Sequence, residues 1–216
     1  MLNKKHVLSA AVAGVAGLLI ASSASAAGVS LGGQLGWGTT HQSGFSQTSI
    51  NSALAGIGSY NYTNKNTNDG LAGRIFAGYD VNQTFGVELG YTKFSNSTAT
   101  FAGTAASTPF NVKTTIKTYA VDLVGKATMP LEYGFSLTGK LGAAYLNESG
   151  AGSLNGSTLV KHTEGKIYPT FGAGVGYDIN KSLTTDVSWM RIQKVGNNSY
   201  LKSTDFVGLG LSYHFS

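Results

Sequence analysis

Asp205-Phe-Val-Gly-Leu-Gly-Leu-Ser-Tyr-His-Phe215 carries an apolar or aromatic side chain on every second residue: Val207, Leu209, Leu211, Tyr213 and Phe215. Gly208, Gly210, Ser212 and His214 take the alternate places. A period of two is a β-strand with one apolar face and one small or polar face. In water such a face needs a covering layer. The same pattern recurs along this chain, and nothing after residue 26 reads as a helix or second sheet that could cover it. A strand whose apolar face meets lipid accounts for the pattern.

The opposite end of the chain carries an export pattern. Met1-Leu-Asn-Lys-Lys-His6 is a short basic segment, Val7–Ile20 is apolar, and Ala24-Ser25-Ala26 is an A-x-A cleavage site. Residues 1–26 therefore read as a secretory signal peptide cut before Ala27, and residues 27–216 as one barrel domain. A retained helical anchor is the alternative, but the apolar run is shorter than the ~20 residues that a spanning helix needs. The chain has no cysteine, so neither disulfides nor thiolate chemistry enter. Charged residues make up 12% of the sequence, against ~25% in a soluble domain. Lys4 and Lys5 supply two of the +5 formal charges, which leaves +3 spread thinly over the rest. That is too little to favour a nucleic-acid partner.

Eight alternating segments follow from the pattern. They are residues 28–38, 71–80, 84–94, 117–128, 135–146, 167–178 and 183–190, and the C-terminal strand. Each is close to the ~9–11 residues of a tilted membrane strand. The connections at 80–83, 129–134 and 178–182 are short; those at 39–70, 95–116, 147–166 and 191–204 are long and rich in Ser, Thr, Asn and Gly. Backbone groups in lipid must all be paired, so a sheet has to close on itself. The expected fold is all-β: an eight-stranded, antiparallel, up-and-down transmembrane barrel with four long extracellular loops and three short periplasmic turns. Its outward aromatics divide into two sets. Trp37, Tyr91, Tyr119, Tyr145 and Trp189 lie at the long-loop ends; Tyr79, Phe85, Phe135, Tyr177, Tyr213 and Phe215 lie at the short-turn ends. Two such girdles flank the apolar band of an outer-membrane barrel.

Four stretches carry a family resemblance: Leu31–Trp37 (LGGQLGW), Ala77–Tyr91 (AGYDVNQTFGVELGY), Val121–Leu131 (VDLVGKATMPL) and Gly208–Phe215 (GLGLSYHF). In their order and spacing the chain resembles the eight-stranded transmembrane domain of the outer membrane protein A family and related small barrels. The resemblance implies a Gram-negative outer-membrane location and a structural, surface-exposed barrel acting in envelope integrity or adhesion. Larger members add a soluble peptidoglycan-binding domain. This sequence stops at its eighth strand, so that function is not expected here. The resemblance further implies that the barrel-assembly machinery reads the C-terminal strand, with Val207, Leu209, Leu211, Tyr213 and Phe215 as the signal. Ser216 follows the aromatic that usually comes last.

The inward charges are Arg74, Glu88, Asp122, Lys126, Lys140 and Asp186. A narrow lumen holds unpaired charge only at high cost, so they are expected to pair into a plug. Counted from the short turns, Glu88, Lys126, Lys140 and Asp186 share one height, with Arg74 and Asp122 a layer above. Glu88, Lys126 and Lys140 match charged lumen positions of the resembling family, whereas Asp186 stands where that family has a base and Gly176 where it has an acid. A charge-lined pore for ions or small solutes is the rival reading. Catalysis at a rim Ser-His-acid set is a third, and His41, His162 and His214 fit it poorly. No metal-ligand spacing or cofactor motif is present. The expected partners are outer-membrane lipid with its lipopolysaccharide, the assembly machinery, and a host or matrix ligand at the loops.

Overall fold

The computed structural model describes residues 28–42, 60–67, 69–105, 108–154, 157–195 and 201–215. The leader segment 1–26 lies outside the described residues. The strands are β1 (Gly28–Gln42), β2 (Tyr60–Thr67), β3 (Asp69–Asp80), β4 (Phe85–Lys93), β5 (Ser97–Ala105), β6 (Thr108–Pro130), β7 (Phe135–Leu154), β8 (Ser157–Asn180), β9 (Leu183–Gln193) and β10 (Leu201–Phe215). In the wall, β1 pairs with β3, β3 with β4, β4 with β6, and β6 with β7; β8, β9 and β10 follow in turn. β10 returns to β1 in a register that runs from Val29 opposite Phe215 to Gln42 opposite Leu201. All pairings are antiparallel, and the sheet closes as eight wall strands. Closure removes the unpaired edges that lipid would not tolerate.

Two of the ten strands prolong others. β2 continues the line of β3 and pairs with β5, which continues the line of β4 beyond residues 94–96 and pairs with β6. The β6–β7 ladder reaches Val112 opposite Leu154, and the β7–β8 ladder reaches Leu154 opposite Ser157. Much of segments 95–116 and 147–166, read from sequence as loops, is therefore sheet. The first of these is rich in threonine, a β-branched residue that favours strands. Both segments lack the apolar alternation because they stand beyond the aromatic girdle, where both faces are free of lipid.

The short turns are built by local chemistry. Asn82 Oδ1 accepts hydrogen bonds from the Thr84 and Phe85 N–H groups at 2.9 and 2.7 Å, and Asn180 Oδ1 does the same for Ser182 and Leu183, both at 2.9 Å. Asparagine tightens turns in this way by standing in for a backbone acceptor. The third turn runs through Tyr133 (φ 59°) and Gly134 (φ 79°). Both lie in the left-handed region that glycine enters freely and tyrosine rarely does.

Side chains alternate as the period of two requires. Leu35, Leu71, Ile75, Leu123, Leu141, Ile167 and Leu209 are exposed on the outer wall. The core is the lumen. There Ala72, Phe94, Ala120, Ala144, Leu146, Tyr168, Ile192 and Phe206 form one buried apolar cluster.

Candidate functional site

From the short-turn end upward, the lumen is organised in tiers. The lowest is a cavity of about 910 Å³ that opens between the turns and is lined by Asp80, Lys126, Lys140, Asp186 and His214, among others. At its mouth Lys126 Nζ lies 2.7 Å from Asp80 Oδ1. His214 Nδ1 stands 3.9 Å from the other Asp80 oxygen.

The next tier forms the roof. Lys140 Nζ donates to both Glu88 oxygens at 2.8 and 2.9 Å. Arg74 Nη2 lies 2.8 Å from Glu88 Oε1 and donates to Asp122 Oδ1 at 2.7 Å. Arg74, Glu88 and Asp122 are each at most 3% exposed. The Phe76 ring packs against both bases, with its centroid 5.1 Å from Arg74 Cζ and 5.3 Å from Lys140 Nζ. On β4, Gly90 leaves the room this tier needs: a Cβ there would collide with the Arg74 guanidinium and Asp122.

Above the ion pairs sits the apolar cluster of Phe94, Leu146, Tyr168, Ile192 and Phe206. It is capped by Lys194, whose Nζ donates to both Glu148 oxygens at 2.9 and 3.0 Å and lies 5.6 Å above the Tyr168 ring. Burial pushes the Lys194 ammonium below its ordinary pKa, and the Glu148 carboxylate opposes that shift.

The six lumen charges expected from sequence are thus distributed unevenly. Arg74, Glu88, Asp122 and Lys140 are brought together, with Glu88 bridging two layers. Lys126 and Lys140 are opposite each other in register, but their ammonium groups diverge to Asp80 and Glu88. Asp80, the Lys126 partner, stands where the expected strand 71–80 meets the turn 80–83 and is not among the six. Asp186 meets no base within 4 Å among the described residues; it accepts a hydrogen bond from the amide of Gln34, which also donates to Ser188. The inward apolar tier was missed altogether. Its signal was present, since Phe94, Leu146, Tyr168, Ile192 and Phe206 share the inward parity of the charged residues.

On the outer wall, the short-turn girdle contains ring pairs Phe135–Tyr177 at 5.0 Å and Tyr213–Phe215 at 4.9 Å. The long-loop girdle contains Tyr91–Tyr119 at 5.8 Å and Phe171–Trp189 at 5.7 Å. Trp189 Nε1 donates to Asp205 Oδ1 at 3.0 Å, and Arg191 grips both Asp205 oxygens at 2.8 and 2.9 Å. Of the histidines, His214 faces the lumen mouth near Thr184. The side chains of His41 and His162 lie outside the described residues.

A closed, girdled sheet of eight wall strands with a filled interior defines a small membrane-spanning β-barrel. Residues 24–216 match the OmpA-like transmembrane domain, and the chain belongs to that family. Its place is the outer membrane. An uncharacterized protein of Coxiella burnetii (strain RSA 493 / Nine Mile phase I) is 30% identical, over 88% of this chain and 86% of its own. Outer membrane protein A of Klebsiella pneumoniae is 25% identical over 85% of this chain and 50% of its own. The chain thus spans about half the length of the outer membrane protein A relatives it matches. Among solved structures, the fold is similar to Ail, the attachment invasion locus protein of Yersinia pestis. The TM-score is 0.53 at 15% identity, covering 88% of this chain and 99% of that one. Neisserial surface protein A gives a TM-score of 0.53 at 16% identity, over 87% of this chain and 97% of that one.

Proposed function

We propose that this barrel is a surface-binding and structural protein of the outer membrane, acting through the part of its wall that stands above the outer girdle. The observation that carries this reading is the filled outer half of the lumen beneath a projecting sheet. Phe94, Leu146, Tyr168, Ile192 and Phe206 occupy the space a solute path would need. The backbone ladders meanwhile continue upward through β5 and the outer parts of β6, β7 and β8. That material presents surface outside the membrane and adds nothing to spanning it. Residues 1–26 act as the export leader, and β10 is the segment read during assembly.

The ligand class follows from charge. Lys93, Lys113 and Lys117 are exposed on the outward parity of β4 and β6, Lys93 and Lys117 next above Tyr91 and Tyr119 and Lys113 four residues further out along β6. None has an acidic partner within 4 Å among the described residues. Three unpaired cations on neighbouring strands suit an acidic polysaccharide of a host surface or matrix, held by charge and sensitive to salt. Ail has been crystallised with the heparin analogue sucrose octasulfate.

The test is retention of the purified barrel on immobilised heparin. Replacing all three lysines by glutamine should release it at markedly lower salt while leaving the barrel folded. Unchanged retention would remove the acidic-glycan reading.

A further inference from the structure

Apart from the exposed Asp178 and Lys181 at the rim of the cavity, seven charged side chains belong to the lower two tiers of the lumen, four acids against three bases. Asp80 holds Lys126; Glu88 and Asp122 hold Arg74 and Lys140. The fourth acid, Asp186, has no base in contact: the Gln34 amide donates to it, and Lys140, held by Glu88, acts on it only from beyond 4 Å. Gln34 is 3% exposed, and its own carbonyl oxygen has no hydrogen-bond donor. A buried acceptor without a donor is uncommon in a native fold. One corner of the lumen therefore holds an acid with no base in contact and a buried acceptor with no donor.

The corner borders the cavity. Asp186 lies opposite Gly176 on β8 and Gly210 on β10, and Gly210 in turn lies opposite Gln34 on β1. A Cβ at Gly210 would clash with the Gln34 side chain and come within 2.7 Å of Asp186 Oδ1. The missing side chain of Gly210 is thus the space that Gln34 and Asp186 fill, whereas a Cβ at Gly176 would meet Ser136 and Thr184. Asp186 also lines the cavity that opens between the short turns, along with Ser136, Thr138, Thr184 and Ser212. The cavity volume of about 910 Å³ is within the range of small-molecule sites.

We propose that this periplasm-facing cavity binds a small organic cation bearing a primary ammonium group, anchored on Asp186. An ammonium supplies the contacting positive charge that Asp186 is without, and three N–H donors for it and for the hydroxyls that line the cavity. A divalent metal suits it less, because calcium takes six or more oxygen ligands and no cluster of three or more acids or histidines forms a cage among the described residues. The cavity is blind: the Arg74–Glu88–Lys140 tier and the apolar cluster close its upper end. The ligand therefore enters and leaves on the periplasmic side.

Putrescine is the probe, titrated calorimetrically into the full chain purified in a non-ionic detergent, with sodium and magnesium chloride as separate arms. One-site binding is expected, with backbone amide shifts in NMR spectra concentrated at Gly176 and Gly210. Asp186→Asn, checked for heat-modifiable mobility on gels, should weaken binding by about tenfold or more. Lys126→Gln, which removes a base from the mouth, should bind at least as tightly. Equal affinity in Asp186→Asn, an equal loss in Lys126→Gln, shifts centred elsewhere, or shifts at the two glycines produced by sodium or magnesium in place of putrescine would each overturn the proposal.

Discussion

Glu88 serves two bases at once, Lys140 from β7 and Arg74 from β3. Glu88→Ala leaves Lys140 with no acid in contact and Arg74 with Asp122 alone. At such a buried site, loss of one partner costs about 3–5 kcal/mol, readable by urea unfolding of the barrel in detergent. Removing Lys140 as well should cost less than the sum of the two single changes, because the partners act as one unit. The Lys126–Asp80 pair is more open, with side chains 14% and 22% exposed. Lys126→Ala should accordingly have a much smaller effect. Parity along the strands was enough to turn all six charges inward from sequence. It could not choose their partners, because counting residues from a turn ignores the tilt of the strands. That tilt is why Glu88 touches Arg74, counted a layer above it, and why Lys126 drops to Asp80.

At the level of elements, the wall was legible wherever lipid imposes an apolar face on alternate residues. All eight wall strands were found, with ends within a few residues of the girdles. Beyond the girdles that imposition ends. The Thr-rich stretch 97–116 then pairs through its backbone ladder, and no side-chain period announces it. β10 combines two demands in one strand: it closes the barrel against β1 and carries the aromatic end that the assembly machinery is proposed to read. Phe215 is 49% exposed and packs edge-on to Tyr213. Phe215→Ala should reduce the outer-membrane fraction of the protein in cells, whereas deletion of Ser216 should leave it unchanged. Equal assembly of Phe215→Ala and the parent would place the signal elsewhere.

For the whole molecule, the deciding feature is vertical segregation of the lumen into a wet lower half and a dry upper half. The sequence suggested a polar interior because its charges stand out, while five large inward apolar residues are scattered over five strands or their ends. A path through the barrel would have to cross both the ion pairs and the apolar layer. In planar bilayers the parent should give no large, steady channels. Leu146→Ala combined with Phe206→Ala empties much of the layer and should introduce conductance if the chain still closes. Large channels from the parent would favour the pore reading over the surface-binding one.

The seam between β1 and β10 has a further consequence. Val29 and Phe215 are direct neighbours across it, so both described ends of the barrel lie together at the short-turn rim. Every other junction in the wall is between wall strands consecutive in sequence. The wall is thus a ring on which the position of the cut is a separate choice from the geometry. A circular permutant that joins the two ends through a short linker and opens the Asn82 turn would keep every ladder and change only which strand is synthesised last. Its behaviour would separate what the ring needs in order to close from what the cell needs in order to place it.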